Sequence, residues 1–254
     1  MFDCHFHTDL SYCSEGGMTL DFIADSIEQI DHLDGVAVTD HSFALYFPED
    51  VAWDWEYMYN SKVYDKFRDR GNANIDAYLT SVENYRDRGI VPGLETEIMH
   101  DGRFTFDQSF RSRIEILIGS VHFLALPAKA SGSDVFEIWH KNTMQLLNSG
   151  IDILGHPFRW ISKHIHVSDA VIHEIVREAK INNVAIEFNS HFEIDTDSRM
   201  LDEVIEQDVE LALSSDSHNQ KEIGDFSYQL KILKEKDLTL SDFRIFPGEK
   251  ILCR

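Results

Sequence analysis

The chain contains 254 residues, 43% of them apolar and 11% aromatic, a balance that excludes a disordered protein and predicts a single globular domain over residues 1–254. The 45 acidic residues outnumber the 23 Lys and Arg residues and leave a net charge of −22, which argues against nucleic acid or an anionic membrane surface as the main partner. No apolar run approaches the roughly 20 residues of a membrane helix, and the cysteines are only Cys4, Cys13 and Cys253, so we expect a cytoplasmic protein in a reducing compartment.

Short apolar runs alternate with segments of helical spacing along most of the chain. The run MFDCHF precedes TLDFIADSIEQI, GVAVTD precedes a long insertion, and IVPGLE precedes a hairpin-like stretch. Further on, IEILIGSVH, IDILGHP, VAIEFN and LALSSDSH are each followed by a helical segment. These seven strand candidates, mostly alternating with helices, predict a mainly parallel α/β sheet that closes on itself.

Residues 43–89 form the irregular part of this pattern. The stretch FPEDVAWDWEYMYNSKVYDKF is rich in aromatic and acidic residues, and a helical NIDAYLTSVENYRDRG follows it. Aromatic clusters in long loops usually form a small satellite core, and the alternative is a lid over a substrate. We favour the satellite core.

Histidines and carboxylates gather where the predicted strands end. The residues that share this position are His5, His7, His41, Glu95, His122, His156, Asp216 and His218. In parallel α/β folds the C-terminal ends of the strands form the face that binds ligands. Two histidines at i and i+2 on a strand point to the same side and can bind one ion. Imidazole and carboxylate together suit zinc, manganese or iron, so the pattern predicts a metal cluster.

These motifs resemble the PHP superfamily, named for the polymerase and histidinol phosphatase proteins that share the domain. The matching stretches are HFHT at 5–8, TDH at 39–41, GLE at 93–95, GSVH at 119–122, GHP at 155–157 and SDSH at 215–218. The GSVHF stretch and the tyrosine-rich insertion before GLE resemble the histidinol-phosphatase-like branch. The resemblance implies a distorted (β/α)7 barrel with two or three divalent metal ions at the C-terminal ends of its strands.

The resemblance also implies a ligand set for each ion. The first would take His5, His7, Glu95 and Asp216. The second would share Glu95 and add His122 and His156. The third would take His41, His218 and one residue of the loop after the first strand. This loop offers Cys13 and Glu15, and we favour Glu15 because a carboxylate suits several metals, whereas a thiolate would select zinc.

The predicted activity is that of a metal-dependent phosphatase, which hydrolyses a small, histidinol-phosphate-like phosphomonoester with metal-activated water and releases inorganic phosphate. Glu95 and Asp216 would act through the metals they bind. Asp40, beside His41, would orient a ligand or relay a proton, and the alternative is a turn aspartate. Candidate substrate-binding residues are Arg159, Lys163, His191 and Arg199, although each cation fits an ordinary surface role equally well.

Other functions stay open at this stage. After VAIEFN the chain continues with Ser190, His191 and Phe192, which departs from the histidinol phosphatase pattern and leaves the substrate open. An amidohydrolase-type barrel also begins with H-x-H, but that family expects eight strands, where this sequence shows seven, and it commonly carries a bridging lysine after a middle strand, where this chain has Glu95. A phosphodiesterase or nuclease would need a basic channel for its substrate. A non-catalytic, regulatory PHP domain would not need so complete a ligand set.

Overall fold

A computed structural model describes residues 1–247, so Cys253 lies outside the described residues. The strands are β1 (Phe2–Phe6), β2 (Gly35–Val38), β3 (Ile90–Thr96), β4 (Ile116–Gly119), β5 (Ile153–Leu154), β6 (Ala185–Asn189), β7 (Glu210–Ser214) and β8 (Arg244–Phe246). The α-helices are α1 (Leu20–Gln29), α2 (Ser42–Tyr46), α3 (Glu49–Asp54), α4 (Ser61–Glu83), α5 (Gly132–Leu147), α6 (Arg159–Ser162), α7 (Asp169–Asn182), α8 (Thr196–Glu206) and α9 (Ser227–Glu235).

The chain divides into two compact units. The first unit contains Met1–Ile118 and Ser215–Asp225, and the second contains Gly119–Ser214 and the chain from Phe226 onward. Within the described residues, no helix is both long and apolar enough to cross a membrane. The single domain and the cytoplasmic location, both expected from the sequence, stay predictions.

In the first unit, strands β1, β2 and β3 are parallel neighbours. Their register runs from Phe2 opposite Gly35 to Val38 opposite Pro92. Every residue of β1, β2 and β3 is buried, as expected for parallel strands covered on both faces. The C-terminal ends of these strands therefore carry their polar residues within a buried edge of the sheet.

The residues that follow β7 belong to the first unit and lie along the end of β1. The Asp216 N–H donates to the His5 carbonyl at 3.0 Å, and the His7 N–H donates to the Ser217 carbonyl at 3.1 Å. This pairing brings the SDSH motif beside the HFHT motif, although more than 200 residues separate them in the chain.

In the second unit, strands β5, β6, β7 and β8 are parallel neighbours in chain order. Strand β8 contains only three residues, of which Arg244 is exposed, so it lacks the apolar run by which the other strands are found in the sequence. The predicted α/β class is confirmed, and β8 adds one strand to the seven counted from the sequence.

The insertion over residues 43–89 folds into helices α2, α3 and α4. Its rings pack against one another, with centroids 4.7 Å apart for Tyr46 and Tyr64 and 4.3 Å apart for Phe47 and Tyr57. These four rings are buried. A Cβ atom at Gly71, in the middle of α4, would collide with the Tyr46 ring, so only glycine fits there.

Tyr78, on the next turns of α4, ties this helix to the sheet. Its hydroxyl oxygen lies 2.8 Å from the Val38 carbonyl and 2.9 Å from the Gly93 carbonyl, and it accepts the Asp40 N–H at 3.3 Å. The insertion is thus anchored to the ends of β2 and β3, next to the histidine that follows β2.

Candidate metal centre

His5, His7 and Asp216 bring three ligand atoms together at the end of β1. The two Nε2 atoms of His5 and His7 are 3.1 Å apart, and the Asp216 Oδ1 atom lies 3.1 Å from His7 Nε2 and 3.5 Å from His5 Nε2. All three side chains are buried. The strand places both imidazoles on one side because they are two residues apart.

Glu95, at the end of β3, faces the same group. Its Oε2 atom lies 2.7 Å from His41 Nδ1, 3.3 Å from His5 Nε2 and 3.6 Å from His7 Nε2. One buried carboxylate oxygen is therefore within reach of three imidazoles, two of the predicted first ion and one of the predicted third, while its predicted sharing with the ion of His122 and His156 stays a prediction.

A second group of ligand atoms joins His7, His41 and His218. These atoms all lie within 4.8 Å of one another. The imidazole of His218 is oriented by its own segment, since its Nδ1 atom is 2.7 Å from the Asp216 carbonyl. His7 takes part in both groups, whereas the sequence had placed it with the first ion alone.

The spacing of the first group fits a metal ion. Zn–N and Zn–O bonds of roughly 2.0–2.1 Å in a tetrahedron place neighbouring donor atoms about 3.3–3.4 Å apart, and the three observed separations run from 3.1 to 3.5 Å. Buried imidazoles and carboxylates at this spacing also suit manganese or iron. The residues present therefore fit a divalent metal.

The protonation states of these residues suit the same role. Burial lowers the pKa of His7 well below its usual range, and the neighbouring His218 and His41 lower it further, so the imidazole is neutral. Burial alone would raise the pKa of Asp216, but the charges of the facing His5 and His218 hold it well below its usual range. A neutral imidazole and an ionised carboxylate are the forms that bind metals.

Ser11 fixes the orientation and tautomer of His7. Its hydroxyl donates to Asp40 Oδ1 at 2.7 Å, and its oxygen lies 3.0 Å from His7 Nδ1 and 3.1 Å from the His41 N–H. A hydroxyl has one proton, so with that proton given to Asp40 the oxygen accepts both N–H groups. His7 then carries its proton on Nδ1 and turns the lone pair of Nε2 toward the cluster.

Asp40 is the buried carboxylate at which this chain of hydrogen bonds ends. It also accepts the Thr8 N–H at 2.9 Å and the Thr8 hydroxyl at 2.7 Å. Burial raises the pKa of Asp40 to about 6, although the Ser11 and Thr8 bonds oppose the rise. Asp40 thus lies behind His7, two hydrogen bonds from its Nδ1 atom, and its proposed orienting role passes through Ser11.

Asp3 holds the backbone next to the ligands. Its Oδ1 atom accepts the Ser215 N–H at 3.0 Å and the His5 N–H at 3.3 Å. Asp216, the following residue, has a φ of 52°, a left-handed value that a residue other than glycine seldom adopts. The buried carboxylate therefore stabilises the strained turn that aims Asp216 at the histidines.

In the second unit, His122 and His156 lie together, with ring centroids 5.1 Å apart. The backbone of His156 has a φ of 26°, and its N–H donates to the buried carboxylate of Glu187. Glu187 also accepts from the Ser214 hydroxyl at 2.5 Å. The predicted second ligand set draws Glu95 from the first unit and these two histidines from the second, and it stays a prediction.

With this geometry in place, comparison with known proteins identifies the family. A family model described as the PHP domain matches residues 3–191, well over half of the chain. The chain belongs to the PHP domain family. Membership places it in a superfamily of metal-dependent hydrolases, and the resemblance carried by the sequence motifs is confirmed.

A curated relative shares the PHP domain with a different set of activities. The chain is 24% identical over 224 residues to the DNA polymerase/3'-5' exonuclease PolX of Bacillus subtilis (strain 168). The match covers 88% of this chain but 35% of that relative, so the chain spans about a third of its length. The exonuclease and polymerase activities are therefore those of a much longer protein.

Two of the predicted substrate-binding cations of this PHP domain gather around one ring. The Arg159 guanidinium lies 3.4 Å from the centroid of Phe192, and the Lys163 ammonium lies 5.9 Å from it. The His191 ring contacts the same phenyl ring edge-on, with centroids 4.4 Å apart. Partial burial, and then the charge of Arg159, lower the pKa of Lys163.

Arg199 has a different environment. Its guanidinium donates to Asp169 at 2.7 Å and to the Val167 carbonyl at 2.9 Å. These contacts join α8 to the start of α7, which is the structural role that the sequence left open for this cation. Its role in substrate binding stays a prediction.

The loop after β1 leaves the choice between Glu15 and Cys13 open. Both side chains are exposed, and the Glu15 N–H donates to the His218 carbonyl at 2.7 Å. Although the side chain of Cys13 reaches the surface, the protein around it partly desolvates the thiol, and this desolvation, followed by the charges of Glu95 and Asp216, raises its pKa to about 12. Within residues 1–247, neither side chain belongs to the ligand groups described above.

Sequence reasoning missed three residues of this site: Ser11, Asp3 and Glu187. Each is buried and polar, yet none sits at the end of a strand among histidines. The available signal was weak: Asp3 and Glu187 are carboxylates inside buried, mainly apolar strands, where a charge needs several hydrogen bonds to be stable.

Proposed function

We propose that this PHP domain is a metal-dependent phosphomonoesterase that acts on a small phosphorylated metabolite. The observation that carries the proposal is the group of His5, His7 and Asp216, buried at the ends of parallel strands with donor atoms at metal-ligand spacing. When bound, divalent ions would polarise the phosphoryl group and lower the pKa of water so that it attacks phosphorus near neutral pH.

The residues of this chain would hold and shape that site. His5, His7, Glu95 and Asp216 would bind the ions, and the Asp40–Ser11 pair would keep His7 in the tautomer that binds metal. Hydrolysis would add water across the ester P–O bond, so that inorganic phosphate and an alcohol leave. Zinc, manganese and iron are all compatible with this donor set.

Phosphate recognition also needs fixed positive charge from the protein. Arg159 and Lys163 would supply it, since they are held close together on one phenyl ring in a chain with few cations. A planar guanidinium can donate two parallel hydrogen bonds to phosphate, and Arg159 is therefore the stronger candidate.

A second candidate is 3'-5' exonuclease activity, which the PolX relative favours by its name. A nuclease and a phosphomonoesterase would use the same metal chemistry, and they differ in how they hold the rest of the substrate. A net charge of −22 disfavours binding along a polyanionic strand. We therefore place the phosphomonoesterase first.

One assay separates these candidates. Protein loaded separately with manganese, zinc and iron would be tested on a panel of phosphomonoesters, on a simple phosphodiester and on short single-stranded oligonucleotides. We expect turnover of monoesters with at least one metal and loss of that turnover in His7→Ala. His173→Ala, at an exposed histidine of the second unit, is the control. Preferential release of mononucleotides from 3' ends would overturn the proposal in favour of the exonuclease, and no hydrolysis of any ester would overturn both.

A further inference from the structure

A row of aromatic rings begins at one of the metal-site histidines and reaches the protein surface. The His41 imidazole stacks on Phe43 with centroids 4.6 Å apart and planes tilted by 21°. Phe43 then contacts Trp55 at 5.0 Å and Trp53 at 5.9 Å, and the two indoles are 6.2 Å apart. We call Phe43, Trp53 and Trp55 the aromatic shelf.

The shelf changes from buried to exposed along its length. Phe43 is 1% exposed, whereas Trp53 is 43% exposed and is the only tryptophan among the large exposed apolar residues of the described chain. Leaving an indole in water has a free-energy cost, because a buried tryptophan removes one of the largest apolar surfaces from solvent. Of the neighbouring rings of the insertion, Tyr46 and Tyr57 are buried, whereas Tyr59, which lies outside the shelf, is exposed.

The backbone at the shelf is strained. Trp55 has φ 57° and ψ 11°, in the left-handed region, which a bulky residue rarely occupies. This conformation ends α3 and starts the short helix Glu56–Met58, and it lets Trp55 contact Phe43. Backbone strain of this kind persists only where the surrounding structure holds the residue in place, and it is common at ligand-binding sites.

We propose that Trp53 and Trp55, backed by Phe43, bind an aromatic ring in the alcohol part of the substrate. The proposal rests on the proposed function, since the ester phosphate would lie at the metal ligands, which include His41. The substrate is then a phosphomonoester whose leaving alcohol carries a planar aromatic ring. Rings stack on indole faces, and the flat shape of the ring gives selectivity over saturated groups of equal size.

The charges beside the shelf narrow this class further. Glu49, Asp50 and Asp54 surround Trp53 in α3, and all three are exposed. Their negative potential disfavours a ring that carries a carboxylate or a second phosphate. A single-stranded nucleic acid, with a phosphate at every nucleotide, is disfavoured for the same reason.

The test compares two monoesters that differ in the ring alone: 2-phenylethyl phosphate and 2-cyclohexylethyl phosphate. Both release primary alcohols of similar size, so their chemical reactivity is matched. We expect the metal-loaded protein to prefer the phenyl ester by about tenfold in kcat/KM. Trp53→Ala should reduce this ratio to about one, and Trp53→Phe should restore most of it. Tyr59→Ala, at a 50% exposed ring outside the shelf, should leave the ratio unchanged.

A binding measurement separates the shelf from the reaction. Calorimetry with 2-phenylethylphosphonate and 2-cyclohexylethylphosphonate, which have no ester bond to hydrolyse, should show the same preference and the same loss in Trp53→Ala. Phosphonate preference without hydrolysis of either ester would support the shelf and defeat the proposed function. Hydrolysis of both esters at equal kcat/KM, or a ratio that survives Trp53→Ala, would overturn the shelf.

Discussion

The two units each hold a strained residue that is predicted to bind metal, in the same way but to different extents. Asp216 in the first unit and His156 in the second both have positive φ values, 52° and 26°. Each such residue costs on the order of 1–3 kcal/mol unless its surroundings hold it in place. In both units a buried carboxylate from a strand accepts a backbone N–H at or beside the strained residue: Asp3 at Ser215, and Glu187 at His156.

Asp3 and Glu187 differ in the number of segments with predicted metal ligands to which they are hydrogen-bonded. Asp3 accepts from the backbone of Ser215 and of His5, so it sets the position of two segments that carry ligands. Glu187 accepts the backbone N–H of His156, and it also accepts from the Ser214 hydroxyl and the Asn189 amide. The position of the predicted ligands within each unit therefore depends on a buried carboxylate outside the predicted ligand sets, more strongly in the first unit than in the second.

The largest effect comes from removing one predicted ligand in each unit. Glu95→Ala and His122→Ala should each lower kcat/KM on the best monoester by about 10³-fold or more, the scale reached when one member of a catalytic group is lost. Because Glu95 faces three imidazoles, its loss should also remove more bound metal than the loss of His122. Elemental analysis alongside the kinetics measures this. Near-normal turnover of Glu95→Ala would contradict its role as a shared ligand.

The next effect tests the two supporting carboxylates directly. Asp3→Ala should weaken metal binding by about 10–100-fold, the range for lost partners of metal ligands, and Glu187→Ala should weaken it less. Chelator competition gives both affinities. Asp3→Asn keeps an acceptor oxygen and guards against a variant that fails to fold, and Asp69→Ala, at an exposed position, is the control. Equal losses in the two alanine variants would remove the difference between the units.

Ser11→Ala should give a smaller loss within the first unit. The variant leaves the proton on His7 Nδ1 without its acceptor, so both tautomers become accessible and metal affinity falls by about tenfold. The absorption spectrum of the cobalt-substituted protein should change as well, since it reports the geometry of the ligands. Ser26→Ala, whose hydroxyl bonds only within α1, is the matched control. An unchanged spectrum and affinity would show that Ser11 merely fills space.

The smallest expected effect is on stability and not on hydrolysis. It concerns Asp197, a buried carboxylate of the second unit. The Tyr228 hydroxyl donates to it at 2.9 Å, and burial raises its pKa to about 7, although this bond and one with the Ile194 backbone oppose the rise. In the unfolded chain the pKa is about 3.9. The folded state therefore binds more protons between these values, and the free energy of unfolding should fall as pH rises from about 4 to about 7.

Asp197→Asn should flatten that part of the stability profile. Urea unfolding at pH 5 and pH 8 measures it: the wild-type protein should lose more stability between the two than the variant does, whereas Asp69→Asn should behave like wild type. Equal losses in the wild-type protein and in Asp197→Asn would show that this carboxyl has an ordinary pKa in the folded protein. Asp3, with two backbone donors, has its pKa raised only to about 6.

The strand ends could be predicted from the sequence because their signal is local. An apolar run followed by His or Glu is visible within six residues, and parallel topology brings such ends together. Ser11, Asp3 and Glu187 could not be assigned in this way. Their partners lie 29, 212 and 31 positions away in the chain, and a buried polar residue shows its purpose only through those partners. The short β8 was not predicted because it has no apolar run. The shelf was not predicted because only the structure shows which aromatic side chains of the insertion are exposed.

The anchoring of α4 limits how the length of the insertion can change. Gly71, which makes room for Tyr46, and Tyr78, which bridges β2 and β3, are seven positions apart and therefore lie on one face of the helix. Deleting one residue between them would rotate one relative to the other by about 100°. Any change in length between Gly71 and Tyr78 should therefore break at least one of the two contacts, because even a whole heptad, which restores the face, moves one residue about 10.5 Å along the helix axis relative to the other.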